Sequence, residues 1–537
     1  MVGSAIEKTR NRNLPGGDRS LAQRTAIGVA WISAFQIARQ VLQVISVSVL
    51  ARRVPPTAYG LMGMALLVTN FLESLRDLGT GTALVREPEV SDELASTVSS
   101  LNLGFGGLVS LLVVALSWPA AKFFHQPQLV TILQVLSITF FLGALNVVPR
   151  AMLAREMAFR ELALAQTAGV ICGALSAIAI ALAGGKVWSL VIGALVNGLT
   201  TTLAIRFFSP FRLRAIFQRK DARRVLSFGM NLSGYQILNY VSRNTDNLLI
   251  GRFLGASQLG LYQMAYTLMT YPITNFTTVI TQVVYPALSK IHHDHERFRA
   301  AYLRTCRIIG AATFPLMFGL AVAAVPFVRV FLGDRWMPVA PLLIIFGPLG
   351  ALQSVTLTVL IFNTQGRPDV NLRWTIFTSS MYVLSFIVGL HWGILGVATA
   401  YSIVWTVLMI PSLIIPFRLV KLSLKSYFRA LWPTIWMSLA MAAVCEVWLL
   451  GLHRMGGRNA EVQLISTVLI GMAVYVGLLL WEKPLVLSDV TAIVSASSHP
   501  LAPMLARILA RFIHSSLAVG GNTAASSSGL SDISRSS

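Results

Sequence analysis

Residues 206–224 read RFFSPFRLRAIFQRKDARR and carry seven basic side chains, with long apolar stretches at 186–207 and 225–250 on either side. About 20 apolar residues cross a bilayer as a helix, and Lys and Arg collect in the loops on its cytoplasmic side. The stretch is therefore a cytoplasmic linker between two spans. Outward from it the same alternation recurs: apolar stretches at 24–50, 59–85, 96–118, 127–148, 161–183 and 186–207 precede it, and 225–250, 258–285, 304–325, 339–362, 372–391, 393–416, 428–451 and 463–481 follow it. Lipid offers no partner to a backbone amide or carbonyl, so these spans read as helices; they are too long and too evenly apolar for the alternating strands of a transmembrane barrel. The sequence predicts an all-α integral membrane protein with about 14 transmembrane helices.

Composition leads the same way. Of 537 residues, 55% are hydrophobic and 12% charged, about half the charged fraction of a soluble domain, and the mean hydropathy is +0.69. No polar stretch is long enough for a catalytic domain, and the net charge of +22 reads through the position of the loops, not as a nucleic-acid footprint. Fourteen spans put both termini on one side. That side takes 31 of the 43 basic residues and the opposite side nine, with Arg39, Arg76 and Arg243 inside spans, which predicts cytoplasmic termini. The first 23 residues lack the short apolar run of a cleaved signal, so the first span is expected to be retained. Cys172, Cys306 and Cys445 are far apart and read as packing residues. The cluster His292-His293-Asp294-His295-Glu296 lacks the HExxH spacing that sets two histidines on one helix face. No metal and no cofactor are expected.

The linker also invites a test for duplication. A shift of 200 residues aligns Ser33-Ala-Phe-Gln-Ile with Ser233-Gly-Tyr-Gln-Ile, and Arg52 and Gly60-Leu-Met-Gly-Met-Ala with Arg252 and Gly260-Leu-Tyr-Gln-Met-Ala. Both copies start in the cytoplasm and span six helices, so the repeat is parallel, about an axis along the membrane normal. The expected organisation is a cytoplasmic N-terminal tail 1–23, an N-lobe 24–207, the basic linker 208–224, a C-lobe 225–416, two extra C-terminal helices in 417–481, and a cytoplasmic tail 482–537. That tail is amphipathic near Pro500–Ser515 and then Gly/Ser/Ala-rich and disordered. Small-residue steps such as Gly169-Val-Ile-Cys-Gly173 read as close helix packing.

A charge near the bilayer centre costs at least about 2.5–3.5 kcal/mol on insertion scales, which makes intramembrane ionisable residues functional candidates. They are Arg39; Glu73, Arg76 and Asp77; Arg243 and Asp246; and Glu446, whose place in the extra helices favours a structural or lipid-facing role. The repeat sets Arg39 opposite Asn239 and Gln43 opposite Arg243, so each lobe carries an arginine on nearly the same helical face. Two arginines facing one interlobe cavity would hold an anion. The plainer alternative is local neutralisation, Arg243 with Asp246 and Arg76 with Glu73 or Asp77.

Three stretches carry a resemblance: Asp77-Leu-Gly-Thr-Gly-Thr-Ala-Leu-Val; Arg243-Asn-Thr-Asp246 continuing to Gly255 and Leu259-Gly-Leu-Tyr262; and Pro286-Ala-Leu-Ser289. They resemble the Wzx-type oligosaccharide flippases of the multidrug/oligosaccharidyl-lipid/polysaccharide exporter superfamily, and the resemblance extends over residues 24–481. It implies two six-helix lobes around a central cavity, two additional helices, alternating access, and a multi-pass protein of the bacterial inner membrane. The substrate it implies is an undecaprenyl-pyrophosphate-linked repeat unit, moved to the periplasmic leaflet for exopolysaccharide, capsule or lipopolysaccharide assembly. Membrane lipids surround such a protein, and its pathway partners are a polymerase and a chain-length regulator.

The family carries no invariant catalytic motif, so the site rests on chemistry. Arginine's permanent charge and donor fork match pyrophosphate oxygens, which points to Arg39 and Arg243 with Asp246 beside them. Gln36, Gln40, Tyr235, Gln236, Asn239 and Asn275 offer hydrogen bonds to sugars. Glu73, Arg76 and Asp77 are candidates for ion coupling or gating, since a carboxyl in a partly dry cavity has access to both charge states. Two other readings compete: a drug/cation antiporter of the same superfamily, which would prefer carboxylates to arginines, and a membrane enzyme such as a polysaccharide polymerase, which would need a larger outer loop.

Overall fold

The computed structural model describes residues 45–76, 91–209, 243–457 and 459–482, with the single positions 42, 43, 84 and 240. These are helical, with no strand among them. In chain order the helices are α1 (Pro56–Arg76), α2 (Asp92–Phe124), α3 (Gln128–Leu136), α4 (Ile138–Arg155), α5 (Phe159–Leu182) and α6 (Val187–Phe208), then α7 (Gly255–Lys290), α8 (His295–Val322), α9 (Ala324–Phe331), α10 (Val339–Val355), α11 (Thr358–Thr364), α12 (Pro368–Gly389), α13 (Gly393–Leu419), α14 (Leu424–Arg454) and α15 (Ala460–Glu482). Helical residues 45–53 and 243–253 precede α1 and α7 and are called the 45–53 and 243–253 helices. Nine helical ranges among the described residues are long and apolar enough to cross a membrane, and one of them, Pro368–Leu419, is 52 residues long and contains both α12 and α13.

Turn and cap chemistry explains where the helices stop. Among the described residues four N-termini have side-chain caps: Ser91 accepts from the Leu94 amide, Asp294 from those of Glu296 and Arg297, Ser423 from that of Ser426, and Asn459 from that of Glu461. Each satisfies amides that the first helical turn leaves without an internal partner. The first three begin spans on the side that the basic residues assign to the cytoplasm, and Asn459 begins one on the opposite side. Two connections on the opposite side are tight, that between α2 and α3, where His125 adopts φ 54°, and that between α5 and α6, where Gly184 adopts φ 84°. The Asp294 carboxylate of the His/Asp/Glu cluster is thus a helix cap, and among the described residues no group of three or more His, Cys, Asp or Glu is placed to hold a metal.

The structure moves several expected boundaries. The span expected at 127–148 is two helices, and α4 runs on to Arg155, so Arg150 and Arg155 lie on a helix and not in a loop. The span at 339–362 breaks at Thr356–Leu357 into α10 and α11. Helix α7 passes through Pro272 and Pro286 over 36 residues, an interruption that transmembrane helices tolerate more readily than soluble ones. Helix α9, in a stretch read as loop, is a short extra helix against α10 and α15. Cys306 and Cys445 are buried, but Cys172 is exposed and packs no core. Residues 210–224, the N-terminal tail and the tail after Glu482, with its amphipathic piece, lie outside the described residues.

Helices α1–α6 form one lobe and the 243–253 helix with α7–α13 the other; α14 packs on α8, and α15 on α14. Within the first lobe α5 and α6 form the closest pair: a Cβ on Gly173 would lie 2.8 Å from the Gly193 carbonyl oxygen, the small-residue contact expected of membrane helices. Between the lobes, α1 and α7 make the extensive contact.

Candidate functional site

Asp246, on the 243–253 helix, is 6% exposed and is the one acidic or basic side chain buried among the described residues. Its Oδ1 accepts the Asn247 amide at 2.7 Å and its Oδ2 accepts the Tyr262 hydroxyl at 3.2 Å. Tyr262 and Tyr266, four apart on α7, share one helix face. Their rings stack at 6.2 Å, and both meet Phe346 of α10 edge-on at 5.7 and 6.0 Å. Farther along, the hydroxyl of Tyr401 of α13 accepts from Gln353 Nε2 at 3.2 Å, and Tyr382 of α12 packs on Tyr401 at 5.4 Å. A carboxylate in a dry interior is costly unless donors surround it. Tyr262 and the Asn247 amide supply them here, and the hydroxyls of Tyr266 and Tyr401 extend the polar core across the second lobe.

Arg243 opens the same helix and is exposed, and among the described residues no ion pair joins it to Asp246. The local neutralisation open to these two in the sequence is therefore not made: the carboxylate is engaged by Tyr262, and the guanidinium is at the surface. Glu73 is half-buried near the end of α1, and Arg76 is its last residue. Arg39, Gln36, Gln40, Asp77, Tyr235, Gln236 and Asn239 lie outside the described residues. Asn275 donates to the Tyr271 carbonyl of its own helix at 2.9 Å. Glu446 is exposed on α14. Sequence reasoning passed over Tyr266, Tyr382, Tyr401 and Gln353. The signal was there: a tyrosine hydroxyl within an apolar span usually takes a partner, and Tyr262 and Tyr266 sit four residues apart.

The interlobe contact is reciprocal. A Cβ on Gly60 of α1 would lie 1.6 Å from the Ala256 carbonyl oxygen of α7, and one on Gly260 would lie 2.0 Å from the Pro56 carbonyl oxygen. Positions 56 and 60 are the partners of 256 and 260 under the 200-residue shift, so each glycine is seated on the backbone of the other copy. Gln263 lies over Gly63, another shift-related pair. Any side chain at Gly60 or Gly260 would separate the two backbones.

The helices before α1 and α7 continue the exchange. Arg52 donates to the Val330 carbonyl of α9, Trp336 Nε1 donates to the Ala51 carbonyl at 2.8 Å, and Ser48 donates to the Phe331 carbonyl at 2.6 Å. From the other side, Arg252, the shift partner of Arg52, contacts the His125 ring at the end of α2 and lies over Phe123 at 5.5 Å. Each lobe's leading helix thus holds a turn of the opposite lobe, and the lobes are joined at the end where α1 and α7 begin. An apolar cavity of about 310 Å³ adjoins this junction, walled by Val47, Met264, Leu268, Leu320 and Phe331.

Comparison with known proteins adds lineage to this geometry. Residues 49–341 match the family model described as polysaccharide biosynthesis protein. The lipopolysaccharide biosynthesis protein WzxC of Escherichia coli (strain K12) is 26% identical over 79% of this chain and 87% of its own length. The succinoglycan biosynthesis transport protein ExoT of Rhizobium meliloti (strain 1021) is 26% identical over 56% of this chain and 61% of its own. Among solved structures, the lipid II flippase MurJ in its inward closed conformation superposes with a TM-score of 0.65 at 19% identity, over 83% of this chain and 97% of that one. That likeness is one of fold.

Proposed function

The chain belongs to the polysaccharide biosynthesis protein family, and on that premise we propose that it is a flippase moving polyprenyl-pyrophosphate-linked oligosaccharide repeat units from the cytoplasmic to the outer leaflet by alternating access. The observation that carries the reading is the reciprocal junction of Gly60 with Ala256 and Gly260 with Pro56. Two lobes joined backbone to backbone at one end, by a contact that any opening at that end must break, are what alternating access requires. The printed names of the relatives, lipopolysaccharide biosynthesis and succinoglycan biosynthesis transport, support the same reading.

In this proposal the lobes are residues 24–207 and 225–416, the linker 208–224 and both tails are cytoplasmic, and 417–481 holds the two extra helices. Arg39 and Arg243 bind the pyrophosphate, with Asp246 setting the charge of the cavity wall behind Arg243. Gln36, Gln40, Tyr235, Gln236 and Asn239 hydrogen-bond the sugars, and the prenyl tail stays in lipid beside the apolar walls near Met264 and Leu320. Glu73, Arg76 and Asp77 couple an ion gradient or gate the inner end. A polymerase and a chain-length regulator act downstream. The buried carboxylate of Asp246 favours, as a second reading, the drug/cation antiporter of the same superfamily.

The deciding measurement is the sidedness of lipid-linked repeat units in a deletion strain before and after the gene is returned. Intermediates facing the cytoplasm that become outward-facing on complementation support the flippase. Intermediates that already face outward in the deletion strain refute it. The folded Arg39→Ala, Arg243→Ala double variant is expected to leave them inward, and wild-type flipping by that variant would remove both arginines from the mechanism.

A further inference from the structure

At the end of the molecule where the lobes join, a cavity of about 990 Å³ opens between the α2–α3 turn, the α5–α6 turn and the start of α7. Its walls mix one indole, Trp188, with amide and hydroxyl side chains, Gln126, Gln128, Thr131 and Ser257, and one cation, Lys186; no acidic residue lines it. Its volume is at the upper end of small-molecule sites, about 300–1,000 Å³, but those are mostly apolar. This one pairs a flat ring with several groups that donate and accept at once, the chemistry that a ring of C–H edges and hydroxyls requires. Lys186 is held there at φ 44°, ψ −119°, a conformation rarely adopted by a residue with a side chain.

The position gives the cavity its meaning. Pro55, Ala256 and Leu254 form part of its wall, and Ala256 supplies the carbonyl on which Gly60 sits. The cavity and the lobe junction therefore share a wall, and parting the lobes would displace that wall. The Lys and Arg count puts this end outside. We propose that the cavity is an exit subsite for oligosaccharide: the headgroup's sugars stack on Trp188 and hydrogen-bond to Gln126, Gln128 and Thr131 as the junction opens. The inference rests on the flippase reading for the identity of its ligand, but its binding chemistry is tested separately.

The test uses the full-length protein in nanodiscs, titrated calorimetrically with the oligosaccharide released by mild acid from the host strain's own lipid-linked intermediates, alongside a flipping assay in vesicles. Wild-type protein is expected to bind it. Trp188→Ala should weaken binding about tenfold, equivalent to about 1.4 kcal/mol, and Trp188→Phe, which keeps a ring, should restore most of it. Gln128 is exposed, so Gln128→Ala folds whatever happens to the indole variant, and it should weaken binding several-fold. A protein that flips lipid but binds no free oligosaccharide, or binds it equally in all variants, overturns the exit subsite and leaves the flippase standing. A protein that binds through Trp188 and moves no lipid upholds the oligosaccharide-binding site but overturns the transport reading and, with it, the site's role in exit.

Discussion

The two lobes share a backbone junction and differ in what they bury behind it. Under the 200-residue shift Gly60 corresponds to Gly260, and each seats on the other's copy. Fourteen residues earlier in each lobe, Ser46 corresponds to Asp246. Ser46 is buried and spends its hydroxyl on the Leu42 carbonyl of its own helix at 2.7 Å, whereas Asp246 takes a donor from another helix, Tyr262, at 3.2 Å. The partner of Tyr262 in the first lobe is Met62, packed in the hydrophobic core. Contact geometry is thus common to both lobes, and interior chemistry is particular to one. A junction tolerates only residues that let two backbones touch, so both copies are held to glycine. An interior position is constrained only by the satisfaction of its polar atoms, so the copies can diverge there.

Breaking the shared part should have the largest effect. Gly60→Val or Gly260→Val forces a Cβ against a backbone carbonyl with nothing flexible to yield, at a cost of about 3 kcal/mol or more to the joined state. Each is expected to abolish transport and to expose a cysteine placed at Leu259, which is fully buried beside Gly260, to an impermeant maleimide added outside, in a Cys172→Ala background. A protected cysteine in the Gly60→Val protein would show that the junction does not depend on that contact.

The divergent part should respond more moderately, and unequally. Asp246→Ala leaves the buried Tyr262 hydroxyl without its acceptor, a loss of about 1–3 kcal/mol, while Ser46→Ala removes only an own-helix bond worth about 0.5–1.5 kcal/mol. Thermal unfolding in detergent should rank Asp246→Ala well below Ser46→Ala, with Asp246→Asn between them; equal midpoints would mean that the two lobes do not differ in this respect. The finest test transplants the pair. Ser46→Asp alone should destabilise, and adding Met62→Tyr should recover part of the loss, with a coupling of about 0.5–3 kcal/mol if the two side chains meet as Asp246 and Tyr262 do. Strict additivity would show that positions 46 and 62 are not placed like 246 and 262.

Much of this was legible in the chain itself. The helical passes and the shift of 200 residues are legible in hydropathy and in a few matched Arg, Gln and Gly residues, because lipid permits few backbone solutions and a duplication preserves spacing. Arg243 and Asp246 were also found, since charged residues in apolar spans stand out. Their relation was not. Spacing by three allowed an ion pair, but the carboxylate engages a tyrosine from the next helix. Nor does apolarity tell a central span from a peripheral one: 56% of the Val339–Thr364 window is buried within the protein and 17% of the Ala460–Glu482 window. Lipid and a protein core are equally good surroundings for leucine, so the sequence records that a helix is apolar and leaves open what covers it.

The sequence by itself therefore determined the membrane class and the helical architecture, which follow from the requirement that every backbone polar group in hydrocarbon be satisfied within its own helix, and the doubled plan, which the spacing of matched residues preserves. Only the tertiary structure decided that Gly60 and Gly260 close the lobes on each other's carbonyls, that Asp246 is held by Tyr262 within a tyrosine core, and that Trp188 and Lys186 face a cavity at the junction. These depend on which helix faces meet. In a chain apolar on nearly every face, packing decides that, and hydropathy carries no record of it.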